Sequence, residues 1–115
     1  MQRIFARKCV IRSVDHNSAV EFLNNNHMQG ACQSKYQYGL YYKNELVSIM
    51  TFGKSRFKSE FELTRFCSKL NVTVVGGASR LFRHFLQDHS DVKEIVSFAD
   101  RRMSIGNVYD KLRIY

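Results

Sequence analysis

The chain has 115 residues and a formal net charge of +8, from 18 basic and 10 acidic side chains. A chain of this length has room for one hydrophobic core, so we expect a single domain over residues 1–115. Hydrophobic residues make up 44%, which argues against disorder, and no apolar run approaches the ~18 residues of a membrane-spanning helix. The N-terminus has no signal-peptide pattern, so we expect a cytoplasmic protein.

The positive charge is spread over both halves of the chain rather than gathered in a tail. Such a surface attracts polyanions, which makes nucleic acid or a phosphorylated cofactor the candidate partner, with an unspecific excess of charge as the alternative. The three cysteines lie far apart without a CxxC pair, which predicts free thiols rather than disulfides or a zinc ribbon. No cluster of ligand-type residues has metal-binding spacing, so no metal is predicted.

The predicted elements run in the order β-α-β-β-β-α-β-α, and a mixed sheet with helices on both faces is the natural way to bury them. Ser18 and Glu21 form a capping-box pattern that predicts a helix over 18–27. Two aromatic and β-branched runs separated by Lys43 and Asn44 predict a hairpin. The predicted strands are 3–12, 37–43, 45–52, 61–68 and 94–99, with an apolar run at 72–75.

A glycine pair, Gly76 and Gly77, follows the apolar run and precedes an amphipathic helix predicted over 78–89. Glycines at such a turn let backbone amides face outward, and the helix start adds a partial positive charge, which together suit a phosphate. Arg80 and Arg83 would add charge there. The alternative is a tight turn that only requires a positive φ. After the last strand we expect a loop over 100–106 and a helix near 107–112.

These elements, the Gly-Gly-Ala-Ser turn and the segment 107–112 resemble the GNAT acyltransferase fold. In that family the turn carries the diphosphate of acyl-CoA through the pattern Arg/Gln-x-x-Gly-x-Gly/Ala. Thr73-x-x-Gly76-x-Ala78 matches this pattern except at the first position, where threonine replaces Arg or Gln. The family's second signature is an asparagine and then a tyrosine on the last helix, often ending Tyr-x-Lys-x-Gly-Phe. Tyr109-Asp-Lys-Leu fits it, although Arg113-Ile-Tyr115 replaces Gly-Phe. The last two strands usual in the fold have no counterpart.

A narrower resemblance covers about residues 20–112 and is to the Mom-type DNA-modification proteins of bacteriophages. The same block resembles C-terminal regions of phage homing-endonuclease-type proteins. The segments that carry the resemblance are His27–Gly30, the hairpin Tyr38–Gly53, Glu62–Phe66, Gly77–Leu81, Val96–Asp100 and Gly106–Tyr109. Mom-type enzymes are GNAT-like and place a carbamoylmethyl-type group on adenine in DNA. The resemblance implies a phage or mobile-element origin, a host-cell cytoplasm and a DNA context.

For such a transferase we expect acetyl-CoA or a related acyl-CoA as donor and a nucleobase amine as acceptor. Tyr109 would protonate the leaving thiolate, and Asp100 would accept or orient the proton of the amine. Ser79 and His27 complete the predicted catalytic set; His27 sits where the resemblance implies a substrate-facing loop. The predicted cofactor-binding residues are Val75, Gly76, Gly77, Ala78, Ser79, Arg80 and Asn107.

Each predicted catalytic residue also has a structural interpretation. Tyr109 could pack on the sheet, and Asp100 could pair with Arg101 or Arg102. Ser79 could simply cap its helix, and a lone loop histidine such as His27 is commonly just solvated.

Basic residues supply the candidate DNA contacts. Glu62 and Arg65 are three apart on one strand, so they face opposite sides unless a bulge intervenes, and Arg65 is the better candidate to face the site. The full predicted set is Arg65, Lys54, Arg56, Lys58, Arg101 and Arg102. Exposed hairpin tyrosines could stack on unpaired bases, or they could form cross-strand pairs.

Three function classes remain open at this point. The first is a GNAT-like transferase acting in DNA base modification. The second is a catalytically inactive GNAT-like DNA-binding module associated with a homing endonuclease, and the third is a GNAT enzyme acting on a protein or small amine. An exposed sheet edge would also permit a homodimer by strand addition.

Overall fold

The computed structural model describes residues 2–54, 61–97 and 101–104. Its strands are β1 (Gln2–Phe5), β2 (Val10–Ser13), β3 (Tyr36–Tyr42), β4 (Glu45–Lys54), β5 (Phe61–Ser68), β6 (Val72–Val75), β7 (Glu94–Ser97) and β8 (Arg101–Ser104). Its helices are α1 (His16–Asn26) and α2 (Gly77–Asp88), and a 3₁₀ turn occupies Ala6–Lys8. Within these residues no helix is both long and apolar enough to cross a membrane.

The strands form one large mixed sheet and one small parallel pair. The large sheet has the order β2-β3-β4-β5-β7-β8, and β1 pairs with β6 alone. In the large sheet β5 and β7 are parallel neighbours, and the crossover between them contains β6 and α2. Their pairing covers only Phe61–Leu63 of β5 against Ile95–Ser97 of β7. The mixed α+β architecture predicted from the sequence is confirmed.

Each helix packs on its own face of the large sheet. On one face, Phe82 and Phe85 of α2 are fully buried, and the Phe85 ring stacks on that of Phe52 with centroids 3.7 Å apart. The small β1–β6 pair joins the same apolar cluster through Ile4. On the other face, α1 packs against Ile49 in a separate cluster. Strand β4 therefore supplies apolar side chains to both faces, which explains why almost its whole length is buried.

The hairpin forms where the sequence predicts it. Lys43 and Asn44 have φ values of 51° and 67°, and they join β3 to β4 as a two-residue turn. Positive φ at both central residues suits the right-handed twist of the flanking strands. The aromatic and β-branched runs on either side then pair in antiparallel register.

The N-terminal strand predicted over 3–12 is wrong as a single element. The 3₁₀ turn interrupts it, and the two parts pair with different strands, β1 with β6 and β2 with β3. Ala6 and Cys9 are both buried, three residues apart, and the Cys9 N–H donates to the Ala6 carbonyl oxygen at 2.9 Å. The strict alternation of a strand cannot bury both of these residues.

Two further boundaries also differ from prediction. Helix α1 begins earlier than predicted, because Asp15 rather than Ser18 is its N-cap and the Asp15 carboxylate accepts from the Ser18 N–H at 3.0 Å. The loop predicted over 100–106 is wrong in part, because β8 pairs antiparallel with β7. The helix predicted near 107–112 lies outside the described residues.

Candidate functional site

The start of α2 leaves its backbone amides without a side-chain cap. Gly76 occupies the N-cap position with φ 78° and ψ 9°, the left-handed conformation that glycine adopts without strain. Gly76 has no side chain that could accept from the first turn, and that turn contains no acidic residue. A Cβ on the next residue, Gly77, would lie 3.2 Å from Cγ1 of Val74, so close packing also favours glycine there. The partial positive charge of this helix start is thus available to an anion.

A cleft of about 780 Å³ opens beside this turn. One wall comes from the end of β1, the 3₁₀ turn and β2, and the other comes from the outer side of α2. Its lining residues are Phe5, Ala6, Arg7, Ile11, Val75, Gly76, Ser79, Arg80, Arg83, His84 and Gln87. None of these described lining residues is acidic, and three are arginines, so the cleft is electropositive.

The three arginines do not have the same role. Nη1 of Arg80 donates to the carbonyl oxygens of Ala6 and Cys9, so this guanidinium holds the 3₁₀ turn against α2. Arg7 and Arg83 are exposed, and neither has a carboxylate partner among the described residues. Arg80 therefore shapes the cleft wall, whereas Arg7 and Arg83 present charge to an occupant.

His84, a lining residue of the cleft, lies next to a tyrosine and a carboxylate that do not line it. The Tyr38 hydroxyl is buried and donates to Oδ2 of Asp88 at 3.2 Å. Burial first, and then the Asp88 charge, raise the pKa of Tyr38 well above its usual range, so the phenol stays protonated. Nε2 of His84 lies 3.9 Å from the same Oδ2, and its ring packs edge-on against Tyr38 at 5.1 Å. The hydrogen bond from the Tyr38 hydroxyl therefore orients the Asp88 carboxylate next to His84.

His27 and Arg65 lie together on the opposite face of the sheet. Nε of Arg65 donates to the Gly30 carbonyl oxygen at 2.9 Å, and Nη1 donates to that of Thr64 at 2.8 Å. Nδ1 of His27 accepts from the Gln29 N–H at 3.1 Å. Burial, and then the positive charge of Arg65, lower the pKa of His27. This imidazole is therefore neutral near pH 7, with its Nδ1 lone pair already engaged in the loop.

A bulge in β5 decides where Glu62 and Arg65 point. Thr51 is opposite Arg65 and Phe52 is opposite Leu63, which leaves Thr64 as the extra residue. The bulge brings Glu62 and Arg65 to the same face, near the segment 30–35. Glu62 lines a smaller cleft of about 420 Å³ there, together with Lys54, Lys35 and neighbouring residues. From the sequence, Glu62 and Arg65 are expected to face opposite sides unless a bulge intervenes, and this bulge is present.

The structure distributes the predicted site residues over two separate places. The large cleft brings together Val75, Gly76, Ser79 and Arg80. Gly77 and Ala78 belong to the same turn but pack toward the core. His27, Arg65 and Lys54 lie on the α1 face, away from that cleft. Arg101 and Arg102 are part of β8 by their backbone. The predicted residues Arg56, Lys58, Asp100, Asn107 and Tyr109 lie outside the described residues.

The hairpin tyrosines are packed rather than presented to solvent. Tyr38 is buried, and Tyr36, Tyr41 and Tyr42 are half-buried. Tyr36 packs against His89 with ring centroids 4.6 Å apart. These contacts favour the cross-strand and packing role over base stacking. His84 and His89 are also half-buried in this cluster, although their spacing of five on one helix indicates two surface residues rather than a shared face.

The N-terminal wall of the cleft was missed by sequence reasoning. Phe5, Arg7 and Ile11 fall inside the segment predicted as one strand, where a regular strand would not form a pocket wall. The available signal was the change of apolar spacing, from two between Ile4 and Ala6 to three between Ala6 and Cys9. That change from strand periodicity coincides with the 3₁₀ turn.

No family model matches the chain, and a search of curated proteins finds no match. The class that the fold and site define is a mixed α+β protein with an electropositive cleft at the start of a helix. Residues 2–54, 61–97 and 101–104 contain no group of three or more His, Cys, Asp or Glu side chains that could hold a metal ion.

Proposed function

We propose that the chain is a GNAT-like transferase that binds an acyl-CoA-type donor in the large cleft and acts on a nucleobase amine in DNA. The observation that carries the proposal is the uncapped start of α2, which opens between Arg7 and Arg83 into an electropositive cleft. Backbone amides at a helix start and arginine side chains are the groups that hold diphosphates in proteins. The parallel β5–β7 pair with α2 in its crossover also agrees with a GNAT-like order of elements.

The residues of the cleft fit the diphosphate of such a donor. Gly76 allows the close approach of a phosphate, and the Ser79 hydroxyl and the first-turn amides can donate hydrogen bonds to its oxygens. Arg83 can compensate its charge. Acetyl-CoA or a related acyl-CoA would supply, when bound, a thioester-activated acyl group. Asn107, predicted for the same site, stays a prediction.

Proton transfer is assigned to residues that follow β7 in the chain. Asp100 comes three residues after the carboxyl end of β7, and ligands of open α/β sheets bind beyond the carboxyl ends of parallel strands. In this proposal the Asp100 carboxylate takes a proton from the acceptor amine, and the Tyr109 hydroxyl gives a proton to the leaving thiolate. His27, with its Nδ1 engaged, is better suited to holding its loop than to taking a proton.

DNA as the partner is supported by the charge of +8 and by the exposed cations around the cleft. A catalytically inactive DNA-binding module would show the same charge. It would not need an uncapped, glycine-led helix start beside two exposed guanidinium groups that have no carboxylate partner among the described residues, and this favours the transferase. A GNAT enzyme acting on a protein or small amine would keep the helix start and not need the DNA partner.

The proposal is tested by incubating the protein with acetyl-CoA and with single-stranded and duplex oligonucleotides, followed by nucleoside mass spectrometry. A mass increase on one nucleoside, lost in Ser79→Asp and only reduced in Ser79→Ala, supports the proposal, because the added carboxylate repels a diphosphate at the helix start whereas alanine removes a single hydrogen bond. DNA binding without any mass increase would favour the inactive module. Acylation of free amines but not of DNA would favour the third class.

A further inference from the structure

An aromatic ring lies exposed between cations on the outer face of the β1–β6 pair. Phe5 is 41% exposed at the end of β1. The guanidinium carbon of Arg3 lies 5.8 Å from the Phe5 ring centroid, and that of Arg7 lies 5.2 Å from it. Ile4 points into the core, so Arg3 and Phe5 project from the same outer face of the strand.

The Phe5 ring also lines the large cleft. Phe5 is in register with Val75, the last residue of β6 before Gly76. Phe5 and Arg7 line the cleft on one wall, and Arg83 lines it from α2. We call Arg3, Phe5 and Arg7 the Phe5 platform.

The platform has no acidic neighbour in the surrounding N-terminal segment. Residues 2–14 contain no Asp or Glu, and the first carboxylate of the chain, Asp15, caps α1. The described ion pairs involve neither Arg3, Arg7 nor Arg83. Two guanidinium groups beside one exposed ring, with no carboxylate partner among the described residues, are complementary to a ligand with both phosphates and planar rings.

We propose that the Phe5 platform binds single-stranded DNA, with one unpaired base stacked on Phe5 and the flanking phosphates on Arg3 and Arg7. Single-stranded rather than duplex DNA follows from the ring, because a paired base has both faces covered by its neighbours in the stack. Each arginine at the ring can either stack on the base or form bidentate hydrogen bonds to a neighbouring phosphate, because a guanidinium group is suited to both contacts.

The inference rests on the proposed function and extends it, because it places the acceptor strand at the cleft that would hold the donor. An exocyclic amine within a duplex is hard for an enzyme to reach, and an unpaired base avoids that cost. Lys54 and Arg65, on the other face of the sheet, are less suited to bind the strand. Lys54 lines a cleft together with the acidic Glu62, and the Arg65 guanidinium donates to backbone carbonyl oxygens.

The experiment is fluorescence anisotropy with a labelled 12-mer, single-stranded or annealed to its complement, without any acyl donor and at several KCl concentrations. The variants are Phe5→Ala, Phe5→Trp, Arg3→Ala and Arg7→Ala. Arg12→Ala is the matched control, because Arg12 is an exposed arginine of the same segment that stacks on Tyr41 instead. Circular dichroism of each variant checks that the fold is retained.

We expect the single strand to bind more tightly than the duplex. Phe5→Ala weakens single-strand binding roughly 5- to 100-fold without changing the salt slope, and Phe5→Trp restores it. Arg3→Ala and Arg7→Ala each lower the slope of log K against log salt by about 0.7. Arg12→Ala binds as the wild type does.

Two results would overturn the inference. One is tighter binding to the duplex than to the single strand, and the other is an Arg12→Ala loss as large as that of Arg7→Ala. If the protein binds CoA but no single strand, this inference fails while the donor site of the proposed function stands. If it binds the single strand through Phe5 but no acyl donor, the proposed transferase fails and the platform stands.

Discussion

Nη1 of Arg80 donates a hydrogen bond of 2.6 Å to the carbonyl oxygen of Cys9, 71 residues earlier in the chain. The same nitrogen also donates to the carbonyl oxygen of Ala6. This contact fixes the 3₁₀ turn against α2 and thereby sets the shape of the cleft. An arginine that the sequence suggests as a phosphate ligand is thus, in large part, a structural link between the two walls.

Replacing Arg80 with alanine should destabilise the protein. Hydrogen bonds from a charged donor contribute about 1.5–3 kcal/mol each, so we expect Arg80→Ala to lower the free energy of unfolding by about 2 kcal/mol or more. Arg83→Ala, an exposed arginine of the same helix, should change it by less than about 0.5 kcal/mol. Urea unfolding followed by circular dichroism gives both values, and equal losses in the two variants would contradict the structural role of Arg80.

The glycine pair before α2 should respond differently at its two positions. Gly77→Ala places a methyl group 3.2 Å from Cγ1 of Val74 in the core, so we expect a loss of about 1–3 kcal/mol from overpacking. Gly76→Asn should cost less, because asparagine tolerates the left-handed conformation better than other residues. Thermal and urea unfolding of the two variants test this order, which would be refuted by a larger loss in Gly76→Asn.

The stability of the fold should fall as His27 becomes protonated. Burial and Arg65 lower the pKa of His27 in the folded protein, whereas in the unfolded chain it stays near 6.5. The unfolded chain therefore takes up the proton first as the pH falls below about 6.5, and stability is lost until the lower folded pKa is reached.

His27→Gln cannot titrate and is the control for this pH dependence. The urea midpoint of the wild type should drop more between about pH 7 and pH 5 than the midpoint of the variant does. Parallel pH profiles of the two proteins would mean that His27 does not contribute in the way described.

The thiol of Cys67 should be unreactive in the folded protein. Burial raises the pKa of Cys67 to about 11 and also raises the pKa of Cys9, where the Arg80 charge opposes the rise. Alkylation requires the thiolate, so both cysteines should react slowly with iodoacetamide at pH 8 and quickly once urea unfolds the chain. Peptide mass spectrometry resolves the sites, and rapid labelling of Cys67 before unfolding would disprove the assignment.

Local patterns in the sequence were sufficient to predict the hairpin and α2. Lys43 and Asn44 form a two-residue turn between aromatic runs, and Leu81, Phe82 and Phe85 repeat at helical spacing. Both signals act between near neighbours in the chain, so a single sequence contains them.

The cleft wall depended on contacts that no local pattern contains. The turn at Ala6–Lys8 is held by Arg80, and the split of the N-terminal segment depends on β6 as a partner for β1. The bulge at Thr64, which brings Glu62 and Arg65 to one face, is stabilised from β4, where Oγ1 of Thr51 lies 2.7 Å from that of Thr64. Such features require the tertiary arrangement to be known first.

Isothermal titration of the protein with CoA, without DNA, tests the central claim most directly. We expect saturable binding that is unchanged in Arg12→Ala and roughly 10- to 100-fold weaker in Arg83→Ala, as the loss of one charge-assisted hydrogen bond implies. Ser79→Asp should bind more weakly still, because its carboxylate lies where the diphosphate would. Absence of CoA binding by the wild type, or equal binding by Ser79→Asp, would contradict a donor site at the start of α2.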